Sequence, residues 1–357
     1  MLRKCAGNAR FAYNWGLRWK MNVIEHNLLP HPSIRMPSSL ELQAELDALS
    51  KEKIPWVYDP SRDPPFQALK NLDRAFGNYL YRRRRFPSFK RRGGRASFRL
   101  YGGVTATWRA VSLPDIGSVE LKERHYIPSG QAYTSATVSG RAGRWYVSVS
   151  APTEAREPSP VEGPLVGVDR GVGRMATVSD GTAFENPRAL ARNERKLKRL
   201  QRAVSRKQKG SKNRDRAVLA LERKHLHIDN ARLDAIHKAT TSLAKTKSTI
   251  VIDYVGVSEL VKERSMAKKV EDAAMTEFAR QLGYKTKLYG SKLTVAPWWY
   301  PSTKRCSGCG NVKEKVALGM RVYRCYVCGL TIDRDLNAAR NLEQWPGLAR
   351  KRKDASG

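Results

Sequence analysis

The chain has 357 residues, 41% of them hydrophobic, with 67 Lys and Arg against 33 Asp and Glu and a formal net charge of +34. Such an excess repels itself in a compact fold unless a polyanion shares it, so nucleic acid ranks ahead of an anionic membrane as the partner. No apolar run approaches the ~20 residues of a membrane span and the opening lacks the apolar centre of a signal peptide, so a cytosolic or nucleoid protein of two or three domains is expected.

Residues 1–82 are expected to be helical. Leu69, Leu72, Phe76 and Leu80 recur at helical spacing in a segment that ends in four arginines, Arg82 to Arg85. The proline-rich stretch 31–65 is expected to be a loop-rich connection. From about residue 96 the period shortens. "ASFRLYGG", "GSVELKE", "SATVSG" and "RWYVSVSAP" read as short strands of a small antiparallel barrel. A Pro/Glu linker leads to "LVGVDRGVGRMATVSDG", two strands about a glycine turn.

Residues 188–245 form a long charged helical region with a break at "KQKGSKN", hence a helical hairpin. Strand "TIVIDYV", a helix near 273–283 carrying Met275, Phe278 and Leu282, strand "KLTVAPW" and a final helix "DRDLNAARNLEQW" follow. This order is α/β with an antiparallel edge.

Cys306, Cys309, Cys325 and Cys328 give C-x2-C-x15-C-x2-C, the spacing of a zinc ribbon. Four thiolates leave no open coordination position, so the zinc is expected to be structural. Cys5 stands apart as a small buried residue. The histidines of "HLHIDN" and His237 lack acids at ligand spacing, so no second site is assigned to them.

Three aspartates carry the second constellation: Asp169 in "VGVDRGV", Asp253 in "VIDYVGV" and Asp335 in "DRDLNAARN". A carboxylate on an apolar strand needs a cation, a donor or solvent. Two divalent ions roughly 4 Å apart on such carboxylates cleave phosphodiesters, one activating water and the other stabilising the leaving oxygen. Taken singly, Asp335 reads equally as a helix N-cap and Asp253 as a strand-end turn residue.

The motifs "NARFAYNWGL", "FPSFKRR", "LPDIGSVELK", "VGVDRGV", "LQRAVSRKQKGSKNR", "FARQLGYKTKLYG", "YPSTKRCSGCG" and "CGLTIDRDLNAARNL" occur in order over nearly the whole chain. In this series the chain resembles the transposon-encoded TnpB (OrfB) family of RNA-guided DNA nucleases, related to the type V CRISPR effectors. The resemblance implies an α/β RNase H-like (RuvC) nuclease domain interrupted by a zinc ribbon. It places a helical recognition segment at 1–95, a wedge-type β-barrel at 96–160, the nuclease domain at 161–302 and 331–357, and the ribbon at 303–330. It further implies Mg2+ or Mn2+ at the carboxylates, a guide RNA from the transposon end and a double-stranded DNA target beside a short flanking motif. Asp169 and Asp335 match the first and third catalytic carboxylates.

Two departures stand out. The family's second carboxylate is usually Glu, in a pattern like "IVIEDL", where this chain has Asp253. Aspartate is shorter by one carbon–carbon bond, roughly 1.5 Å, and misplacement on that scale costs on the order of 100-fold in rate. Glu259 or Glu277 could substitute, and the alternative is an RNA-guided DNA-binding protein with weakened or lost cleavage, acting in silencing or transposon control. Family members also begin with a strand and a "YPT…Q"-like turn ahead of the helix that opens here at Met1, so an unpaired barrel edge is expected.

Segment 78–100 mixes arginines with Tyr79, Tyr81, Phe86, Phe89 and Phe98. The expectation is Phe86, Phe89 and Phe98 in the barrel core, and Arg82, Arg83, Arg84, Arg85, Lys90, Arg91 and Arg92 on RNA. In the helical hairpin, Leu197, Leu200 and Val204 form a packing stripe. Arg202, Arg206, Lys207 and Lys209 have few acids to pair with, and suit the backbone of an RNA–DNA hybrid. A guide-free junction resolvase is the third reading; the long N-terminal half and the charge argue against it.

Overall fold

The computed structural model describes residues 1–30, 32–94, 96–152, 157–254, 272–317 and 319–354. Two compact units divide the chain, Met1–Glu154 and Ala155–Gly357. In the first, α1 (Leu2–Asn27), α2 (Ser39–Glu52) and α3 (Asp63–Leu80) precede five strands, β1 (Ala96–Ala106), β2 (Ala110–Leu113), β3 (Gly117–Glu120), β4 (Tyr133–Arg141) and β5 (Arg144–Ser150). Helix α2 lies inside the stretch expected to be loop. Ser38 and Glu41 form a capping box that starts it, and its prolines stand outside, at Pro37 and Pro55. Leu42 and Leu46 on α2, Leu17 on α1, and Leu69 and Leu72 on α3 are fully buried and share one core with Phe98 and Leu100 of β1. Leu80 falls outside the expected stripe, exposed in the last turn of α3.

The strands form an antiparallel sheet in the order β3-β2-β1-β4-β5. Among the described residues β3 and β5 do not pair with each other, so the expected small barrel is an open sheet with unpaired edges. Only Phe98 of the three expected phenylalanines is in the core. Phe86 packs edge-on against Phe76 and Tyr79, and Phe89 lies under the Arg18 guanidinium; both are partly exposed.

The second unit holds β6 (Leu165–Arg170), β7 (Arg174–Val178), β8 (Ala183–Glu185), α4 (Ala189–Ser205), α5 (Lys212–Thr246), β9 (Thr249–Ile252), α6 (Met275–Tyr289), β10 (Lys292–Val295), β11 (Val322–Arg324), β12 (Thr331–Asp333) and α7 (Arg334–Asp354). The sheet order is β10-β9-β6-β7-β8. Strands β6, β9 and β10 are parallel, while β7 and β8 complete an antiparallel meander. The short β8, after the "SDG" turn, was not anticipated.

Alternation along β6 sorts its neighbours. Val166 and Val168 pack with Ile236 and Leu243 of α5 and Phe278 and Leu282 of α6. Gly167 faces α7 so closely that a Cβ there would stand 1.9 Å from the Ala339 carbonyl oxygen. By the two-residue period of a strand, Asp169 belongs to the α7 side and Arg170 to the α5/α6 side. Helices α4 and α5 form the expected hairpin, packed through Leu197 and Ile228. No helix among the described residues is long and apolar enough to cross a membrane.

Candidate active site and metal centre

Val168 pairs with Ile252 in parallel register, so Asp169 and Asp253 are the next positions at the carboxyl ends of adjacent central strands, where open α/β sheets place their ligands. Asp335 reaches the same place from the first turn of α7. It is not the N-cap. Asp333 takes that role, its Oδ1 accepting the N–H groups of Asp335 at 2.9 Å and Leu336 at 3.1 Å. The cap leaves the Asp335 carboxylate free to meet the strands.

The electrostatics register this convergence. Burial first, then the charges of Asp253 and Asp335, push the Asp169 carboxyl well above the usual carboxylate range, against Arg334 and Arg170. Among the described residues Asp169 makes no ion pair. Asp253 is raised by burial, with the neighbouring Arg170 opposing. Arg170 donates from Nε to Asp253 Oδ1 at 3.0 Å, from Nη2 to the Asp253 carbonyl and from Nη1 to the Met275 carbonyl at 3.1 Å. Asp335 is paired with Arg334 at 3.1 Å and Arg321 at 3.7 Å.

These three arginines and Asp333 escaped the sequence reading. A buried arginine ending an apolar strand beside an aspartate was the available signal for Arg170. Glu277 is engaged elsewhere, held by Arg280 through two contacts of 2.7 Å and by Gln281. Glu259 lies outside the described residues.

Oxygen donors of this kind suit a hard divalent cation. Asp169 fits that role without competition from an ion pair, whereas Asp253 has one oxygen paired with Arg170 and Asp335 is paired with Arg334 and Arg321. The three carboxylates do not form a group with ligand atoms all within 4.8 Å of one another; among the described residues only the four cysteines do.

Those cysteines sit on two matching knuckles. The N–H of Gly310 donates to the Cys306 carbonyl at 2.9 Å and that of Gly329 to the Cys325 carbonyl at 3.0 Å. Both glycines have positive φ, 80° and 73°, which a side chain would disfavour. Sulfur pairs Cys306–Cys328 and Cys309–Cys325 are each 3.6 Å apart, near the roughly 3.8 Å edge of a tetrahedron with Zn–S bonds of about 2.3 Å. The Cys328 N–H helps bring the Cys325 thiol down to about 6, favouring the thiolate a metal requires.

Arg82, Arg83, Arg84, Arg85, Arg91 and Arg92 are exposed in the turn after α3 and the segment before β1. Lys90 is also exposed, and its backbone is fixed to Asn14 of α1 by paired bonds of 2.7 and 2.9 Å. In the second unit Arg202, Arg206, Lys207 and Lys209 are exposed at the tip of the α4–α5 hairpin. A cavity of ≈ 640 Å³ lies between this hairpin's base and the β6–β7 turn, lined by Gly173, Arg188, Lys198 and Arg321 among others.

Comparison with known proteins agrees with this architecture. Residues 136–264 match the OrfB_IS605 family, described as "Probable transposase", and residues 276–342 match "Cas12f1-like, TNB domain". A Streptomyces pristinaespiralis protein provisionally named an RNA-guided DNA endonuclease is 36% identical over 96% of this chain and 84% of its own. The provisionally named RNA-guided DNA endonuclease InsQ of Escherichia coli K12 is 32% identical over 96% of this chain and 87% of its own. Among solved structures, a Cas12f1–sgRNA–target DNA complex shares the fold at TM-score 0.52 and 15% identity, covering 96% of this chain and 81% of that one.

Proposed function

The chain belongs to the transposon-encoded TnpB (OrfB) family, and on that premise we propose that it is an RNA-guided, metal-dependent DNA endonuclease. The observation that carries this is the meeting of Asp169, Asp253 and Asp335 at one end of a mixed sheet. A divalent ion held there supplies the Lewis acidity for phosphodiester hydrolysis. Asp169, Asp253 and Asp335 would hold it. Arg321, beside both Asp335 and the β6–β7 turn, offers a guanidinium to phosphate oxygens.

In this reading the second unit is a RuvC-like nuclease domain (161–302 and 331–357) with a structural zinc ribbon at 303–330. Residues 1–95 and 96–160 are the recognition and wedge segments. Arg82 to Arg85, Lys90, Arg91, Arg92 and the hairpin-tip cations contact the backbones of a guide RNA from the transposon end and of the heteroduplex. Base pairing supplies most of the sequence specificity, and the protein reads a short flanking motif.

One observation favours a second reading, a guided binder without cleavage: the Asp253 carboxylate is already paired with Arg170. A guide-matched plasmid with Mg2+ or Mn2+, offered to the native protein, Asp169→Ala and Asp253→Glu, separates the two. Native cleavage lost in Asp169→Ala supports the nuclease. Binding without cleavage, with cleavage appearing in Asp253→Glu, supports the binder.

A further inference from the structure

Thr107 and Ala110 close the turn that joins β1 to β2, leaving Trp108 and Arg109 as its two central residues. Such positions favour Gly, Asn and Asp. A tryptophan there, 43% exposed, is explained neither by the turn nor by the core. The turn is nonetheless held firmly. The Thr107 N–H donates to the Ala110 carbonyl at 2.8 Å, and the Ala110 N–H to Thr107 Oγ1 at 3.1 Å. After β3 the chain returns alongside it. There the Leu121 N–H donates to the Arg109 carbonyl and the His125 N–H to the Trp108 carbonyl, both at 2.7 Å.

The last of these bonds brings two exposed rings together. The His125 imidazole stacks on Trp108 with ring centroids 5.0 Å apart and planes 16° from parallel. His125 does so at a φ of 59°, a left-handed conformation that persists only where the surrounding structure over-determines it. The guanidinium carbons of Arg109 and Arg124 each lie 5.7 Å from the Trp108 centroid. Among the described residues neither arginine has an ion pair. Tyr126 follows, 82% exposed, before Ile127 re-enters the core. Stacked rings flanked by guanidiniums match the base and the phosphates of a single nucleotide.

We propose that Trp108 and His125 form a stacking platform for one unpaired nucleotide, with Arg109 and Arg124 on its flanking phosphates. This rests on the RNA-guided reading above and uses none of the cations assigned there. A base inside a duplex is covered on both faces by its neighbours and cannot join the stack. Bases in loops and single strands can splay out onto aromatic rings. An RNA loop and a displaced DNA strand both supply that chemistry. The preformed stack spares the ordering cost that two mobile rings would incur on binding.

The test places a fluorescent base on the platform. Full-length, zinc-loaded protein freed of nucleic acid is titrated with short single strands of RNA or DNA carrying one 2-aminopurine, whose emission falls on stacking. Salt is held at about 0.3 M to weaken contacts made to phosphates alone. The native protein is expected to quench the probe. Trp108→Ala should lose the quenching and bind about tenfold more weakly, the scale of one base–aromatic stack, and Trp108→Phe should recover both. The larger loss, with RNA or with DNA, identifies which strand supplies the nucleotide. Quenching by Trp108→Ala equal to native overturns the inference. So does a perfect duplex competitor whose affinity falls by the same factor in that variant. Should Trp108→Ala not fold, His125→Gly decides, since glycine accepts the positive φ, and unchanged quenching in it overturns the inference. Absent quenching by the native protein overturns the platform and leaves the nuclease reading standing. Quenching without cleavage of the guide-matched plasmid removes the nuclease reading and leaves the platform.

Discussion

Asn337 accepts the backbone N–H of Ser307 on its Oδ1 at 2.9 Å and donates its Nδ2 to the Arg305 carbonyl at 2.7 Å. Asn341, one turn on, donates to the Ser302 and Arg305 carbonyls. The helix that presents Asp335 is thus bonded to the knuckle that presents Cys306. The Arg334 N–H also donates to the Arg321 carbonyl beside β11, at 2.8 Å. Zinc removal should therefore displace Asp335. Cys306→Ser, or chelation of the native protein, should lose zinc and cleavage together, by about 100-fold or more in rate. Full cleavage by protein shown by atomic absorption to lack zinc would refute this coupling.

Of the three site carboxylates Asp169 is the one without an ion pair among the described residues, so on the nuclease reading its replacement removes the principal metal holder. Asp169→Ala should lower cleavage about 1,000-fold, the upper end of what one electrostatic group contributes to a transition state. Target binding in a filter assay should persist. Undiminished cleavage would remove Asp169 from the site.

The raised carboxyl of Asp169 has a consequence for stability. A carboxyl whose folded pKa lies above its unfolded value lends stability while protonated in both states, and that stability is lost as pH rises through the folded value. Metal-free native protein should accordingly lose stability as pH rises from the ordinary aspartate range, and Asp169→Asn should not lose that part. The variant should melt higher than the native protein at pH 8, with the gap narrowing at lower pH or on adding Mg2+. A native protein that melts higher than the variant at pH 8 without metal would contradict the assignment.

The cations at the hairpin tip are far from acids in sequence and exposed in the fold. Each phosphate neutralised adds about 0.9 to the salt slope on a duplex. Replacing Arg202, Arg206, Lys207 and Lys209 by Ala should flatten the log–log salt dependence of heteroduplex binding by about 3.6. An unchanged slope would mean that the tip faces solvent in the complex.

Gly167 lies against the backbone of α7, with no room for a methyl group. Gly167→Ala should destabilise the second unit by about 1–3 kcal/mol, the cost of overpacking, seen as a lower melting temperature. It should reduce cleavage as well, because the contact sets the distance between Asp169 and Asp335.

Periodicity and turn chemistry made most elements legible. The hairpin of α4 and α5, the β6–β7 pair and the cysteine knuckles follow from local pattern. The capped α2 was hidden because the prolines flanking it dominated the composition around a short amphipathic run. Phe86 and Phe89 read as core because they precede a strand. They pack instead on α3 and under Arg18 of α1, contacts that depend on helix placement. At the candidate site Asp169 and Asp253 were visible as departures from apolar strands, and Asp335 as an acid at the start of a helix. The partner of Asp253 was not, since Arg170, beside Asp169 in sequence, points to the opposite face of its strand. Only the paired register of β6 and β9 shows that Arg170 reaches the aspartate of the neighbouring strand.

The contact between Gly167 and α7 also gives the protein a timetable. Asp169 leaves the ribosome long before Asp335 does. During synthesis the basic surfaces are complete while the cutting centre is still missing its final wall. On the nuclease reading, a nascent chain can therefore engage nucleic acid before it can hydrolyse any, and cutting begins only when the last helix seats against that glycine.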